Sequence, residues 1–342
     1  MLAAVLVEQN RALELADIES PPVLDYGQVR VQVCYTSICG SQLGEIAGVK
    51  GPDRYLPHLL GHEGGGIVLE LGPGVTHVRI GDKVVLHWRP GRGIQARPPS
   101  YRWKDQTVNA GWVTTFNEEA VVSENRLTPL PSDFDLSLAP LLGCAVTTGV
   151  GVVTRDAQVT LGESVLILGC GGVGLAEIQA AALSGAYPIL AVDQHSEKLA
   201  LAERLGATHC LLSDASLEEA VRSIAGVGGC DVVLENTGNT TLMRRGVELT
   251  HPQGRCILVG VPRQGDDLCL HTLPLHFGKR LMGSHGGQSR PDEDIPRLLR
   301  LIQAGRLDLE SMISDRGELR HINHAIDRMQ TGGVTGRYLL KI

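Results

Sequence analysis

Residues 164–186, SVLILGCGGVGLAEIQAAALSGA, decide how the rest of the chain is read. Four apolar residues run into a glycine-rich turn, and an alanine-rich segment follows with the composition of a buried helix. The turn spells GxGxxG in the setting that gives the pattern meaning, after a strand and opening a helix. Gly169 permits the tight turn, Gly171 lets a pyrophosphate approach the backbone, and Gly174 lets the helix pack close to the sheet. Gly172 and Val173 open the helix, whose N-terminus favours the phosphates. Asp193 ends the next apolar run, nineteen residues beyond Gly174. A carboxylate there accepts hydrogen bonds from a ribose and repels a 2′-phosphate, so NAD(H) is favoured over NADP(H). Lys198 either touches the ribose or is an exposed charge on a helix face. A glycine turn without ligand is the plainer reading of GxGxxG alone; strand, helix and acid together outweigh it.

Outward from this stretch the same unit repeats. PILAVD (188–193) and SEKLALAERLGA (196–207) form a second strand and helix, and CDVVLENTG (230–238) and GRCILVGVP (254–262) supply further apolar strands. Strands alternating with helices predict a parallel sheet with right-handed crossovers. Before residue 146 the style differs: LAAVLV, QVRVQVCYT, GGGIVLELG and KVVLHW are short β-type runs bounded by turn residues. After residue 286, DIPRLLRLIQAGRL has helical apolar spacing and GRYLLKI returns to strand character. The expected α/β architecture is a doubly wound parallel-sheet domain at 146–286, inserted into a β-rich domain formed by 1–145 and 287–342. Residues 91–100 are expected to be an irregular surface loop.

The 342 residues are 43% hydrophobic and 20% charged, ordinary for a folded chain with two cores. A formal net charge of −7 argues against a general nucleic-acid binder. No signal peptide or long apolar run is expected, so no membrane role is predicted. The eight cysteines lack disulfide-like spacing, which favours reduced thiols and a cytoplasmic location.

Three of the metal-competent residues precede the glycine turn. Cys39 follows a strand in CYTSICGSQ, His62 sits among glycines in LLGHEGGG, and Cys144 lies in PLLGCAVTTG. Two thiolates and an imidazole can hold zinc while leaving a fourth position open to a substrate oxygen. A Lewis acid beside a hydride carrier is the apparatus for interconverting an alcohol and its aldehyde or ketone.

Along essentially its whole length the chain resembles the zinc-dependent alcohol dehydrogenases of the medium-chain dehydrogenase/reductase superfamily. The matching segments are SICGS (37–41), GHEGGGIV (61–68), GVTHVRIGDKVV (74–85), LLGCAVTTGVG (141–151), LGCGGVGL (168–175), LGAT (205–208), VGVP (259–262) and GSHGG (283–287). The resemblance implies a Rossmann domain inserted into a GroES-like catalytic domain, and zinc ligation by Cys39, His62 and Cys144. It implies Glu63 as a transient ligand, Ser41 as the hydroxyl that takes the alcohol proton, and Thr148 beside the nicotinamide. It also implies Arg337 as a pyrophosphate contact, Trp88 as a wall of the substrate pocket, and a homodimer or homotetramer pairing through residues 268–285.

Departures from the family pattern qualify this. Gln42 stands where relatives often carry an Asp that hydrogen-bonds the ligand His. Gly44 stands where some continue the proton relay with a His, so water, the cofactor ribose or another group such as Glu45 must take over. The lobe at 87–111 lacks the four cysteines that bind a structural zinc in many members, so one catalytic zinc per chain is expected. That lobe carries Arg89, Arg92, Arg97, Arg102 and Lys104 against Asp105. Its arginines either pair with acids at the surface or steer an anionic substrate, with Arg89 nearest the pocket; a polyol-like substrate is the other expectation. Rival readings are a zinc-free quinone or enoyl reductase on the same fold and a catalytically silent dinucleotide-binding protein.

Overall fold

The computed structural model describes residues 1–342. It forms two compact units, one of residues 1–147, 290–303 and 313–342, the other of 148–289 and 304–312. The first boundary lies inside the helix Ala145–Gly151, two residues beyond the expected position. Residues 304–312 join the second unit rather than the first. Gln179 holds them there, donating from Nε2 to the Asp308 carbonyl at 3.1 Å and accepting from the Asp308 amide at 2.7 Å.

In the second unit six parallel strands lie in the order His209–Leu212, Ile189–Asp193, Val165–Leu168, Cys230–Glu235, Thr250–Leu258, Arg280–Gly283. By chain position this is 3-2-1-4-5-6, the doubly wound order of a Rossmann sheet. Val165, Leu166, Ile167 and Leu168 are buried, as expected of a central strand covered on both faces. The strand order reverses between Val165–Leu168 and Cys230–Glu235, and the glycine turn leaves the sheet at that reversal. The helix Gly172–Leu183 that follows is buried on most of its circumference, and its alanines let it lie close to the strands.

The first unit contains two sheets. In one, Glu14–Asp17, Leu2–Leu6, His58–Leu59, Gln106–Asn109 and Ser100–Trp103 are adjacent in that order. The other runs Leu127–Pro129, Lys83–His87, Glu63–Leu71, Gln28–Ser37, Arg337–Lys341, Ile313–Glu318, with Glu119–Ser123 also pairing on Gln28–Ser37. The C-terminal strand lies antiparallel to Gln28–Ser37, which brings Arg337 beside Ser37.

The basic lobe is only partly irregular. Residues 91–99 carry no regular element, but Ser100–Trp103 and Gln106–Asn109 form a hairpin turned at Lys104, where φ is +56°. Tyr101 and Val108 enter the core with Ala3, Val5, Ile18 and Leu59. Alternation along the strand therefore leaves Arg102 facing outward. Buried Glu124 ties the lobe down, accepting from the amides of Thr76 and His77 at 2.6 Å and of Ile94 at 2.8 Å. An apolar anchor and one carboxylate hold this lobe where cysteines would otherwise be needed. No helix is long and apolar enough to cross a membrane.

Candidate metal and cofactor sites

Three separate elements deliver the metal-competent side chains. Cys39 caps the helix Gly40–Ile46 at the end of the strand Gln28–Ser37. His62 immediately precedes the strand Glu63–Leu71. Cys144 ends the helix Ala139–Gly143, which rests against that strand and Lys83–His87. Gly143 makes the approach feasible, because a Cβ there would lie 2.5 Å from the Leu86 carbonyl oxygen and 3.0 Å from Glu63 Cα. The two sulfurs and an imidazole nitrogen all lie within 4.8 Å of one another.

The donor chemistry fits a zinc ion. His62 Nε2 is buried without a hydrogen-bond partner. Cys144 beside it holds the Cys39 thiol well below its ordinary range, against the opposing effect of burial; His62 and the Arg337 charge add to the lowering. The thiolate is the metal-binding form of cysteine. On the far side of the ring, the Gln42 amide meets His62 Nδ1. The Gln42 oxygen also accepts from the Cys39 amide at 3.3 Å, so one side chain links two of the three donors. When Nε2 ligates a metal, Nδ1 carries the proton, and the amide must then present its oxygen to the ring; a half-turn about its last bond does so and gives up the bond from the Cys39 amide.

Behind the donors, Glu63 is fully buried; it accepts from Ser37 Oγ at 2.7 Å and pairs with Arg337. Its second oxygen, Oε2, has no partner. Arg337 is 3% exposed, and its guanidinium is committed to Glu63 and Ser37. The strand pairing of Arg337–Lys341 places the Arg337 side chain behind the donor cluster, where Glu63 and Ser37 meet it and Nε has no partner. Ser41 is exposed on the helix that starts after Cys39.

The register Glu63↔His87 puts Trp88 across from His62, their rings edge-on with centroids 6.5 Å apart. Arg89 stacks over Trp88 at 5.6 Å. A cavity of about 370 Å³ opens beside His62, and its charged lining is Glu45 and Asp53, with His58. Neither Arg89 nor any other basic residue of the lobe lines it. The expectation that lobe arginines meet the substrate finds no support in this cavity. Arg92 instead approaches Asp292 at 3.9 Å, and Lys104 lies over Trp103. Asp53 and His58 escaped the sequence reading, although His58 stands four residues before His62; Glu45 entered it only as a proton-relay group.

In the second unit the glycine turn behaves as its spacing predicts. Gly169 has φ +95°. A Cβ on Gly174 would lie 2.1 Å from the Gly169 carbonyl oxygen, whereas one on Gly171 would meet nothing within 4 Å. Gly171 caps the following helix without a side-chain acceptor, and Gly172 and Val173 begin it, leaving first-turn amides for an anion. Asp193 ends its strand and accepts from the amides of Cys170 at 2.9 Å and His195 at 3.1 Å. Lys198 is half-buried on the helix Ser196–Arg204, where its charge acts on Cys170. Thr148 is buried and its hydroxyl lacks a partner.

Near the turn lies a group the sequence reading passed over. Fully buried Glu177 accepts from Asn236 Nδ2 at 2.6 Å, and burial pushes its carboxyl up to about 8. Glu235 accepts from the amides of Thr237 and Gly238 and so shapes the loop facing Gly169. An acid within the otherwise apolar run LAEIQAAAL was the available signal.

Comparison with known proteins agrees with this geometry. The alcohol dehydrogenase GroES-like domain matches residues 25–132 and the zinc-binding dehydrogenase domain matches 172–304. S-(hydroxymethyl)glutathione dehydrogenase of Synechocystis sp. is 31% identical, aligned over 96% of both chains. Alcohol dehydrogenase class-3 of Cereibacter sphaeroides is 30% identical, again over 96% of both. Benzyl alcohol dehydrogenase from Acinetobacter calcoaceticus superposes with a TM-score of 0.88 at 29% identity, covering 100% of this chain and 99% of that one. An alcohol dehydrogenase zinc-binding domain protein from Burkholderia ambifaria gives 0.89 at 28%, covering 100% and 98%. The chain belongs to the zinc-type alcohol dehydrogenase family of the medium-chain dehydrogenases. It is accordingly an NAD-dependent alcohol oxidoreductase acting on small molecules, and neither the zinc-free reductase nor the silent binding protein is favoured.

Proposed function

We propose that the chain interconverts an alcohol and its aldehyde or ketone with one zinc ion per chain, held by Cys39, His62 and Cys144, and with NAD(H) in preference to NADP(H). The observation that carries this is the convergence of the three donors within 4.8 Å around an unpartnered, buried His62 Nε2. Zinc there would supply a Lewis acid, and NAD⁺ a hydride acceptor. The chain's own residues do the positioning. Gln42 fixes the His62 ring, and the Arg337–Glu63–Ser37 network backs the Cys39 side of the cluster. Ser41 Oγ takes the proton released by the alcohol and passes it to solvent. The open face of Gly171 admits the pyrophosphate, and Asp193 accepts from the ribose hydroxyls, which disfavours a 2′-phosphate. The count of one zinc is supported by the lobe's lack of cysteine ligands and by its apolar anchor.

One of the two free edges of the six-stranded sheet is Arg280–Gly283, flanked by exposed Leu273 and Phe277. An unpaired edge with apolar neighbours supports pairing of two copies across a two-fold axis, and sedimentation of the wild type against Met282→Asp would test it. For the main reading, zinc stoichiometry and NAD⁺ reduction are measured on one sample against primary, secondary and polyol alcohols. One zinc per chain with turnover is expected; full activity in a metal-free preparation refutes the reading.

A further inference from the structure

Fully buried Glu177 lies three residues beyond Gly174 on the helix that the glycine turn opens, and has no part in the metal cluster. Its Oε2 accepts from Asn236 Nδ2 at 2.6 Å, while Glu177 Oε1 and Asn236 Oδ1 are both buried without a partner. Two orphaned acceptors in a dry interior are costly unless a hydrogen reaches them. Asn236 in turn borders the glycine turn. Its amide donates to the Leu168 carbonyl at 2.9 Å, and a Cβ on Gly169 would lie 2.9 Å from Thr237 Cγ2 and 3.5 Å from Asn236 Cβ. Residues 236–238 therefore lean on the turn. Buried Glu235 stands at the base of the same loop, accepting from the amides of Thr237 at 2.8 Å and Gly238 at 3.2 Å. One chain of contacts thus runs from the Glu177 carboxyl through Asn236 to Gly169.

We propose that Glu177 is a positioning residue for the dinucleotide: protonated, it pairs reciprocally with Asn236 and holds residues 236–238 against the glycine turn, and loss of that proton loosens the loop and weakens cofactor binding. This rests on the NAD(H) reading above and adds a pH control to it. A carboxylic acid and a carboxamide each offer a donor and an acceptor, so a proton on Oε1 serves both orphaned oxygens. Once ionised, the pair holds three acceptor oxygens against the single Nδ2 group, and the buried charge also opposes a diphosphate on the turn. Both effects weaken binding as the proton leaves. Burial raises the Glu177 carboxyl to about 8, the Asn236 bond acting against it and the Glu235 charge with it. The other titratable or charged groups on segments packed against this helix are Cys170, Asp193, Arg155, Asp156 and Asp308. Only Glu235 among the charged neighbours shifts Glu177. Burial keeps Cys170 a neutral thiol, and Asp308 meets Gln179 instead.

The probe is ADP-ribose, which carries the cofactor's diphosphate without the nicotinamide or its charge. Its Kd on the zinc-loaded wild type, measured by calorimetry, is expected to rise by about tenfold between about pH 6.5 and about pH 9.5. Reciprocity then requires binding near the midpoint to take up a fraction of a proton, read from the heats in buffers of different ionisation enthalpy. Glu177→Gln keeps the shape and gives Asn236 a permanent donor. It should hold the tight wild-type Kd within about twofold at both ends of the range and take up no proton. Asn236→Ala removes the partner, so it should bind about tenfold more weakly at the acid end and lose little more at the alkaline end. A pH-independent Kd in the wild type overturns the proposal. So does a Glu177→Gln variant that binds weakly throughout, or one whose Kd still rises as the wild type's does, the result expected of a merely structural Glu177. Full pH dependence retained in Asn236→Ala also overturns it, leaving charge repulsion without the loop. ADP-ribose that binds at neither end of the range defeats the cofactor reading itself, a distinct result.

Discussion

The glycine turn and the Cys39–His62–Cys144 cluster, proposed above to serve one reaction, are built in opposite ways. The turn is local: Gly169, Gly171 and Gly174 lie within six residues, Gly169 taking a positive φ, Gly174 closing on the Gly169 carbonyl and Gly171 leaving an open face. The cluster is assembled: Cys39, His62 and Cys144 span more than a hundred residues and meet through strand register and a helix resting on a sheet. A local device can be read from spacing. An assembled one shows its donors in the sequence but hides what surrounds them.

The largest expected effect separates the two regions outright. Cys39→Ser or His62→Ala should lower kcat by about a thousandfold or more, the scale of losing a Lewis acid. NAD⁺ binding, followed by fluorescence titration, should stay within about twofold. Loss of cofactor affinity in either variant would show that the two regions are not independently built.

A second pair of variants probes the turn alone. Gly174→Ala forces a Cβ to within 2.1 Å of a carbonyl oxygen and should destabilise the chain by about 2–3 kcal/mol in denaturant melts. Gly171→Ala meets no protein atom, so its melt should match wild type, while NAD⁺ Kd rises by about tenfold or more. Equal stability losses in both would break the assignment of one glycine to packing and the other to the ligand.

The assembled region should be sensitive one step beyond its donors. Gln42→Leu leaves His62 Nδ1 without a partner and should weaken zinc binding by about 10–100-fold in chelator competition. An unchanged zinc affinity would mean the ring is held by packing alone.

A further effect concerns pH. Glu177 ionises near 8 in the folded chain but near its ordinary 4.5 when unfolded. The folded state therefore holds an extra proton between those values, and stability falls as pH rises across that window. Glu177→Gln should flatten that slope by a few kcal/mol between pH 5 and about 8. An unaltered slope would place the titration elsewhere.

Residues 164–186 were legible because strand, turn and helix follow from short-range sterics and apolar burial. Cys39, His62 and Cys144 were legible as residue types in recognisable settings. Arg337 was not. A strand-end arginine in GRYLLKI carries no sign that strand pairing will bury it against Glu63. The lobe misled for a related reason: its positive charge is plain, but alternation along a hairpin set which side chains face out, and the hairpin depended on burying Tyr101 and Val108 against distant strands.

By itself, then, the sequence determined the fold class, the order of its parts and the reaction apparatus, because these follow from periodicity, glycine sterics and donor chemistry within short windows. Only the tertiary structure decided which partner each buried charge finds and which sign of charge lines the cavity beside His62. Those depend on the register between strands far apart in the chain, which no short window contains.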